Sequence, residues 1–325
     1  MNSFVCEHVP TIAELAAFNK AGGEGLRLEI LRVLAQDSYG VLELCEILGH
    51  RQSGMSHHLK VLTEAGLVEK RREGNSIFYH RALLDLRQVL ASLQQQLYAV
   101  VDKIGIPSEV LQRLQHVKRE RMQNSQQFFV RQADKFKAQQ DLIAEYPVYG
   151  EAVAEVLCKT VTEDHAIAVE VGPGAGEFLV VLSKRFDQVV ALDNAPTMLE
   201  RAQNHCWQQA ISNVDFICDD TDYLARGNVI ADCVVMNMVL HHTSSPADIF
   251  IDIATSLKPG GVLIVTDLCR HDQDWAKTAC GDIWLGFDPA ELQHWALLAG
   301  LKQGHSNYLA LRNGFQIQLQ QFKKT

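Results

Sequence analysis

Three glycines and two carboxylates between positions 166 and 193 carry the clearest chemical signal in the chain: Gly172, Gly174 and Gly176, with Glu170 before them and Asp193 after. Glycines so spaced let the backbone approach a ligand where a Cβ would collide. An acidic side chain about 20 residues further on sits where it can accept hydrogen bonds from ribose hydroxyls. The elements that must position these groups are legible too. The apolar run 167–171 suits a strand buried on both faces, a helix follows the glycines, and a second strand ends on Asp193. This is the outline of a nucleoside-binding unit. Glu170 and Glu177 flank the turn and would repel a pyrophosphate, whereas they suit a cationic ligand. That balance favours S-adenosylmethionine, with its ammonium and sulfonium groups, over a dinucleotide.

Later stretches agree in order. Glu170-Val-Gly-Pro-Gly-Ala-Gly176 resembles the first motif of the class I S-adenosylmethionine-dependent methyltransferases. The segments VDFICDD at 214–220, DCVVMNMVLHH at 232–242 and LKPGGVLIVTDL at 257–268 resemble that family's third strand, fourth strand with its turn, and the turn into the fifth. The resemblance covers roughly 125–325. It implies an α/β fold with a doubly wound, mainly parallel, seven-stranded Rossmann-like sheet. It also implies a site for S-adenosylmethionine or its product S-adenosylhomocysteine at Glu170, Gly172, Gly174, Gly176, Asp193, Asn194, Met198, Asp220, Thr221 and Asn237. Methyl transfer is an in-line displacement that depends mainly on positioning. Where a base is used, His241 and His242, expected at the mouth of the site, are the residues to supply it. His271, Asp272 and Cys280 follow the fifth strand with no spacing that fixes a metal, so none is expected. The acceptor is expected to be a small molecule that the sequence does not specify.

The N-terminal third reads as short helices and one hairpin. Apolar positions Leu26, Ile30, Leu31, Val33 and Leu34 fit one helix, 41–48 a second, and 53–65 a third that ends at Gly66. Two short strands then flank Glu73-Gly74-Asn75. This order is that of a winged helix-turn-helix, whose second helix enters the major groove while the wing reaches the backbone. On that reading Ser53 is the N-cap of the third helix, Ser53, Ser56, His57, His58 and Lys60 face DNA, and Lys70, Arg71, Arg72 and Asn75 supply wing contacts. The segment 52–68 resembles the recognition helix of the ArsR/SmtB repressors. Arsenite-sensing members carry a Cys-x-Cys pair in the preceding helix. Here Glu43-Leu44-Cys45 lacks the second thiolate, and metal sensing is not expected. Leu83, Leu86, Leu90, Leu93, Leu97, Val100 and Ile104 repeat at spacings of three and four, a seam suited to homodimerisation. A dimer would read two half-sites of an operator about 34 Å apart.

Composition sets the outer bounds. The 325 residues are 47% hydrophobic and 21% charged, enough for two folded cores. The net charge of -9 is concentrated in the C-terminal half, leaving basic clusters at 70–72 and 118–121 free to meet phosphate. Eight cysteines without a Cys-x-x-Cys pair read as reduced thiols, with Cys218 and Cys233 inside core strands. No apolar run reaches the ~20 residues of a membrane span, and no secretory signal is apparent, so a cytoplasmic protein is expected. The expected division is a DNA-binding and dimerisation domain at 1–104, a helical connector or lid at 105–145 and a methyltransferase domain at 146–325. Residues 270–301 resemble the C-terminal part of ArsR-methyltransferase fusions. The whole chain therefore reads as a transcriptional regulator joined to a methyltransferase, the alternative being a non-catalytic sensor of the same cofactor.

Overall fold

The computed structural model describes residues 10–85, 88–160 and 166–325, with the backbone alone at 133–136. The chain divides into two compact units, Met1–Glu120 and Arg121–Thr325. The boundary falls inside one long helix, where the sequence places a separate connector at 105–145.

The first unit opens with α1 (Ile12–Gly22), begun by a reciprocal cap: Thr11 accepts from the Glu14 amide while Glu14 accepts from the Thr11 amide. There follow α2 (Gly25–Val33), β1 (Tyr39–Gly40), α3 (Val41–Leu48), α4 (Gln52–Glu64), the hairpin β2 (Val68–Glu73) and β3 (Ser76–Arg81), α5 (Ala91–Val101) and the start of α6 (Ser108–Gln140). The antiparallel sheet has the order β1-β3-β2. Gly49, at φ 68°, closes α3 in a left-handed turn that a side chain would resist. Ile30, Leu31, Leu44, Ile47, Met55, Leu59 and Leu62 are fully buried and form the core on which α4 is seated.

Two expectations change here. The residue capping α4 is Arg51, with no side-chain cap, and Ser53 is already helical and exposed. Helix α5 spans only Ala91–Val101, so Leu83 lies outside it, and Leu86 lies outside the described residues. The buried face of α5 is Ala91, Gln94, Tyr98 and Val101, because Tyr98 and Gln94 reach the backbone of Leu67 and Ala82. Three of the seven expected seam positions, Leu93, Val100 and Ile104, are left exposed.

The second unit holds the rest of α6, then α7 (Tyr146–Thr160), β4 (Ile167–Val171), α8 (Leu179–Arg185), β5 (Gln188–Asp193), α9 (Pro196–Gln208), β6 (Val214–Cys218) and α10 (Asp222–Ala225). After them come β7 (Ala231–Asn237), a 3-10 turn (Leu240–His242), α11 (Pro246–Ser256), β8 (Leu257–Leu268), α12 (Trp275–Ala279), α13 (Pro289–Leu298), β9 (Leu301–Ala310) and β10 (Gln316–Lys324). The seven strands lie in the order β6-β5-β4-β7-β8-β10-β9, parallel from β6 to β8 and antiparallel where β10 joins β8 and β9. Successive strands run outward in opposite directions from β4 and β7, which opens a crevice at their carboxyl ends. Asp232 fastens this junction: it accepts from the Ile167 amide at 2.8 Å and pairs with Lys258 Nζ at 2.8 Å. Cys233 is buried as expected of a core strand, but Cys218 is exposed, because β6 is the edge strand. Among the described residues no helix is long and apolar enough to cross a membrane.

Candidate active site and nucleic-acid interface

The crevice at β4 and β7 gathers most of the expected cofactor residues. Gly172, Gly174 and Gly176 all have left-handed φ angles, of 65°, 56° and 82°. They serve different ends. A Cβ at Gly172 would meet Val239 at 2.5 Å and one at Gly176 would meet the Ala202 backbone at 3.0 Å, so these two allow close packing. At Gly174 nothing lies within 4 Å, and the turn is open to a ligand there. Glu170, 2% exposed, is the penultimate residue of β4 and accepts a long 3.5 Å hydrogen bond from Asn237 Nδ2 at the end of β7. Glu170 Oε2 and Asn237 Oδ1 are both buried without a hydrogen-bond partner. Burial, reinforced by the charge of Glu177 and only partly offset by Asn237, pushes the Glu170 carboxyl up to about 8. A buried carboxylate of this kind is stabilised by a cation placed against it.

Asp193 ends β5 and accepts from the Ala195 amide at 2.8 Å; burial pushes it up to about 6 despite that bond. Asp220 follows β6 and accepts from the Asp222 amide at 3.0 Å, with burial again raising its carboxyl. Met198 is buried beside Ala195, with Phe128 and Phe129 of α6 packed on the pair. Gln126 donates to the Asn194 carbonyl at 3.2 Å. A cleft bounded by Lys137, Tyr146, Tyr149, Ala175, Glu177 and Met198 opens beside the glycine turn.

Three expected roles shift. Thr221 donates its hydroxyl proton to Asp252 of α11 at 2.6 Å, which ties the loop after β6 to that helix. Glu177 is paired with Lys137 Nζ at 2.7 Å, leaving Glu170 as the carboxylate with an open oxygen. The two histidines are not at a mouth. His241 and His242 are 1% and 7% exposed, and their burial follows from the turn after β7 folding under the segment at 281–287. Asp267 holds the turn by accepting from the Leu240 amide at 2.9 Å and lies 2.8 Å from His241 Nδ1. Burial works against a charge on His241, but Asp267 and Asp282 outweigh it and raise the imidazole to about 9. Burial and then the charge of His241 hold His242 well below the ordinary histidine range. Sequence reasoning did not foresee Asp267 or Asp282, because each looks like an ordinary strand-end or loop aspartate until the chain is folded.

In the first unit, Ser53, Ser56, His57 and Lys60 lie exposed on α4, opposite the buried Met55, Leu59 and Leu62. His58 does not share their face: its Nδ1 lies 3.3 Å from Glu24 Oε2 and 3.4 Å from Arg27 Nη1. Lys70, Arg72 and Asn75 are exposed on the wing, with Arg72 Nε donating to the Gly74 carbonyl. Arg71 is the exception. It is 1% exposed and ion-paired with the equally buried Glu73, because alternate residues of β2 face inward.

A three-stranded wing beside two short helices, and a seven-stranded sheet with a glycine turn at its switch point, define a winged helix joined to a Rossmann-like domain. Comparison with known proteins agrees. Residues 25–70 match the family "Bacterial regulatory protein, arsR family", and residues 169–265 match "Methyltransferase domain". The chain thus carries an ArsR-type regulatory domain fused to a methyltransferase domain. It is 26% identical over 147 residues to a ubiquinone biosynthesis O-methyltransferase of Coxiella burnetii, covering 41% of this chain and 62% of that protein. It is 31% identical over 114 residues to an HTH-type transcriptional regulator of Mycobacterium tuberculosis, covering 33% of this chain and 50% of that one. The chain therefore spans between half and two thirds of these curated relatives. The solved 1,6-didemethyltoxoflavin-N1-methyltransferase of Burkholderia thailandensis shares the fold, with a TM-score of 0.50, 16% identity, and coverage of 64% of this chain and 90% of that one.

Proposed function

We propose that the second unit binds S-adenosylmethionine and transfers its methyl group to a small-molecule acceptor, and that the first unit binds operator DNA as a homodimer in the cytoplasm. The observation that carries the cofactor reading is the pair of buried, partnerless atoms Glu170 Oε2 and Asn237 Oδ1, facing a switch point whose Gly174 is open. S-adenosylmethionine brings a cationic sulfonium whose methyl is open to in-line attack. Glu170 would offset its positive charge, Asp193 would accept from ribose hydroxyls, and Asp220 would face the base. Residues 121–140 of α6 would serve as a lid, since Ser125, Gln126, Phe128, Phe129 and Lys137 already contact the turn after β7, Asn194, Met198 and Glu177. Excluding water there would strengthen the electrostatic contacts at the cleft.

Homodimerisation is supported by the exposed Leu93, Val100 and Ile104 along and just beyond α5. DNA contact is supported by Ser56, His57 and Lys60 on the free face of α4, and by Lys70, Arg72 and Asn75 on the wing. Equilibrium titration of the full chain with S-adenosylmethionine and S-adenosylhomocysteine tests the cleft, and radiolabelled methyl transfer into cell extract tests turnover. Saturable binding with no labelled product from any extract would reject the transferase reading. Absence of binding would reject the cleft itself.

A further inference from the structure

The turn after β7 and the segment at 281–287 bring three ligand-bearing side chains together. His241, His242 and Asp282 are all buried, and one donor atom from each lies within 4.8 Å of the others. His241 Nε2 is 3.8 Å and His242 Nδ1 3.6 Å from the same oxygen, Asp282 Oδ1. We propose that these three side chains form a site for a divalent transition-metal ion of the zinc type.

The donor set fits that class. Two imidazoles and one carboxylate are a common set for zinc, with the fourth position left to water or a ligand. Metal-to-donor bonds near 2.0–2.1 Å put tetrahedral donor atoms about 3.3 Å apart, so the two imidazole-to-Asp282 spacings of 3.8 and 3.6 Å need to contract by only about half an ångström or less.

The surroundings are those of a built site. Asp267 Oδ1 lies 2.8 Å from His241 Nδ1, which directs Nε2 toward Asp282, the arrangement of a carboxylate that orients a metal-bound histidine. The backbones bearing the ligands are already joined, since the His241 carbonyl accepts from the Ile283 and Trp284 amides at 2.9 and 3.1 Å. Gly281, at φ 78°, has Phe128 where a Cβ would stand, so the chain beside Asp282 is held under α6. On binding, the ion takes the place of any proton on His241 Nε2, which leaves to solvent. The ion would tie the turn after β7 to the segment at 281–287. This inference is independent of methyl transfer, because the ligands and Asp267 are assembled without reference to a substrate.

The test is titration of chelator-stripped, full-length protein with Co2+, followed by its ligand-field absorption and by thermal melting. One equivalent should bind, with visible ligand-field bands and without the thiolate charge-transfer band that cysteine ligation would add. His242→Asn and Asp282→Asn should each weaken binding by more than roughly 100-fold, and Asp267→Asn by roughly 10- to 100-fold. His116→Ala removes a second, exposed group of Glu46, His116 and Glu120, and should leave the spectrum unchanged. Zn2+ should raise the melting temperature of the wild type and not that of His242→Asn. If Asp282→Asn does not fold, the wild-type spectrum and His242→Asn still decide. No stoichiometric binding, binding indifferent to His242→Asn, or binding lost in His116→Ala would each overturn the proposal.

Discussion

Replacing Glu170 by glutamine gives the sharpest test of the cleft. In the cofactor-free protein, burial holds this carboxyl at about 8 against an ordinary 4.5. If a cationic cofactor lies against it, the carboxylate is the form that binds, so below pH 8 a proton must be released. Affinity then rises with pH and levels off above pH 8. Taking the bound form as ionised throughout, linkage to a group at 8 strengthens binding about 25-fold between pH 6.5 and pH 8.5. Asp193, at about 6, adds less than about twofold over that window. The cofactor's own titration cancels if the wild type is compared with Glu170→Gln at each pH, since only the ratio is read. Calorimetry in buffers of different ionisation enthalpy should show close to one proton released at pH 7 by the wild type and far less by the variant. Stability should move oppositely. A carboxyl raised on folding favours the folded state below its unfolded value, and this is lost as pH climbs through 4.5 to 8. Glu170→Gln should therefore stabilise the cofactor-free protein at pH 9, by at most about 5 kcal/mol. An affinity ratio independent of pH, together with no gain in stability at high pH, would refute the picture of a buried carboxylate awaiting a cation.

Asp193→Ala should weaken cofactor binding by about 1 to 3 kcal/mol, and unchanged affinity in a direct titration would remove Asp193 from the site. Lys70→Ala with Arg72→Ala should lower DNA affinity on every sequence and reduce the salt slope by about 0.9 for each phosphate no longer neutralised, measured by fluorescence anisotropy across a salt series. Arg71→Ala should instead destabilise the first unit by about 3 to 5 kcal/mol, because it removes the buried guanidinium paired with the buried Glu73; normal denaturant unfolding would contradict that assignment. Val100→Asp should dissociate the proposed homodimer with little loss of folding, read by sedimentation beside the wild type; a dimer unchanged by the substitution would place the interface elsewhere, and a monomeric wild type would reject the dimer.

Much of this protein was legible in one dimension because its signals are local. Glycines that need left-handed φ, a strand apolar on both faces, a lysine-proline-glycine-glycine turn and the order of helices before a hairpin are each set by a few consecutive residues. They located β4, β5, β6, β7 and the wing almost to the residue. Strand β9 carries no such signal: apart from Leu301 and Leu309 its residues are exposed on the outer edge of the sheet, so no alternation marks it. What folding alone decided was which polar groups met. Arg71 reads like its neighbours Lys70 and Arg72, yet the alternation of β2 turns it inward onto Glu73. His58 adjoins His57, yet one helical step of about 100° carries it to Glu24 and Arg27. Asp267, Asp282, His241 and His242 come from segments up to about 40 residues apart, and nothing in their spacing joins them. Sequence determines conformation where the cause is a neighbour along the chain, whereas burial, ion pairing and ligand geometry depend on distances that exist only after the sheet has closed.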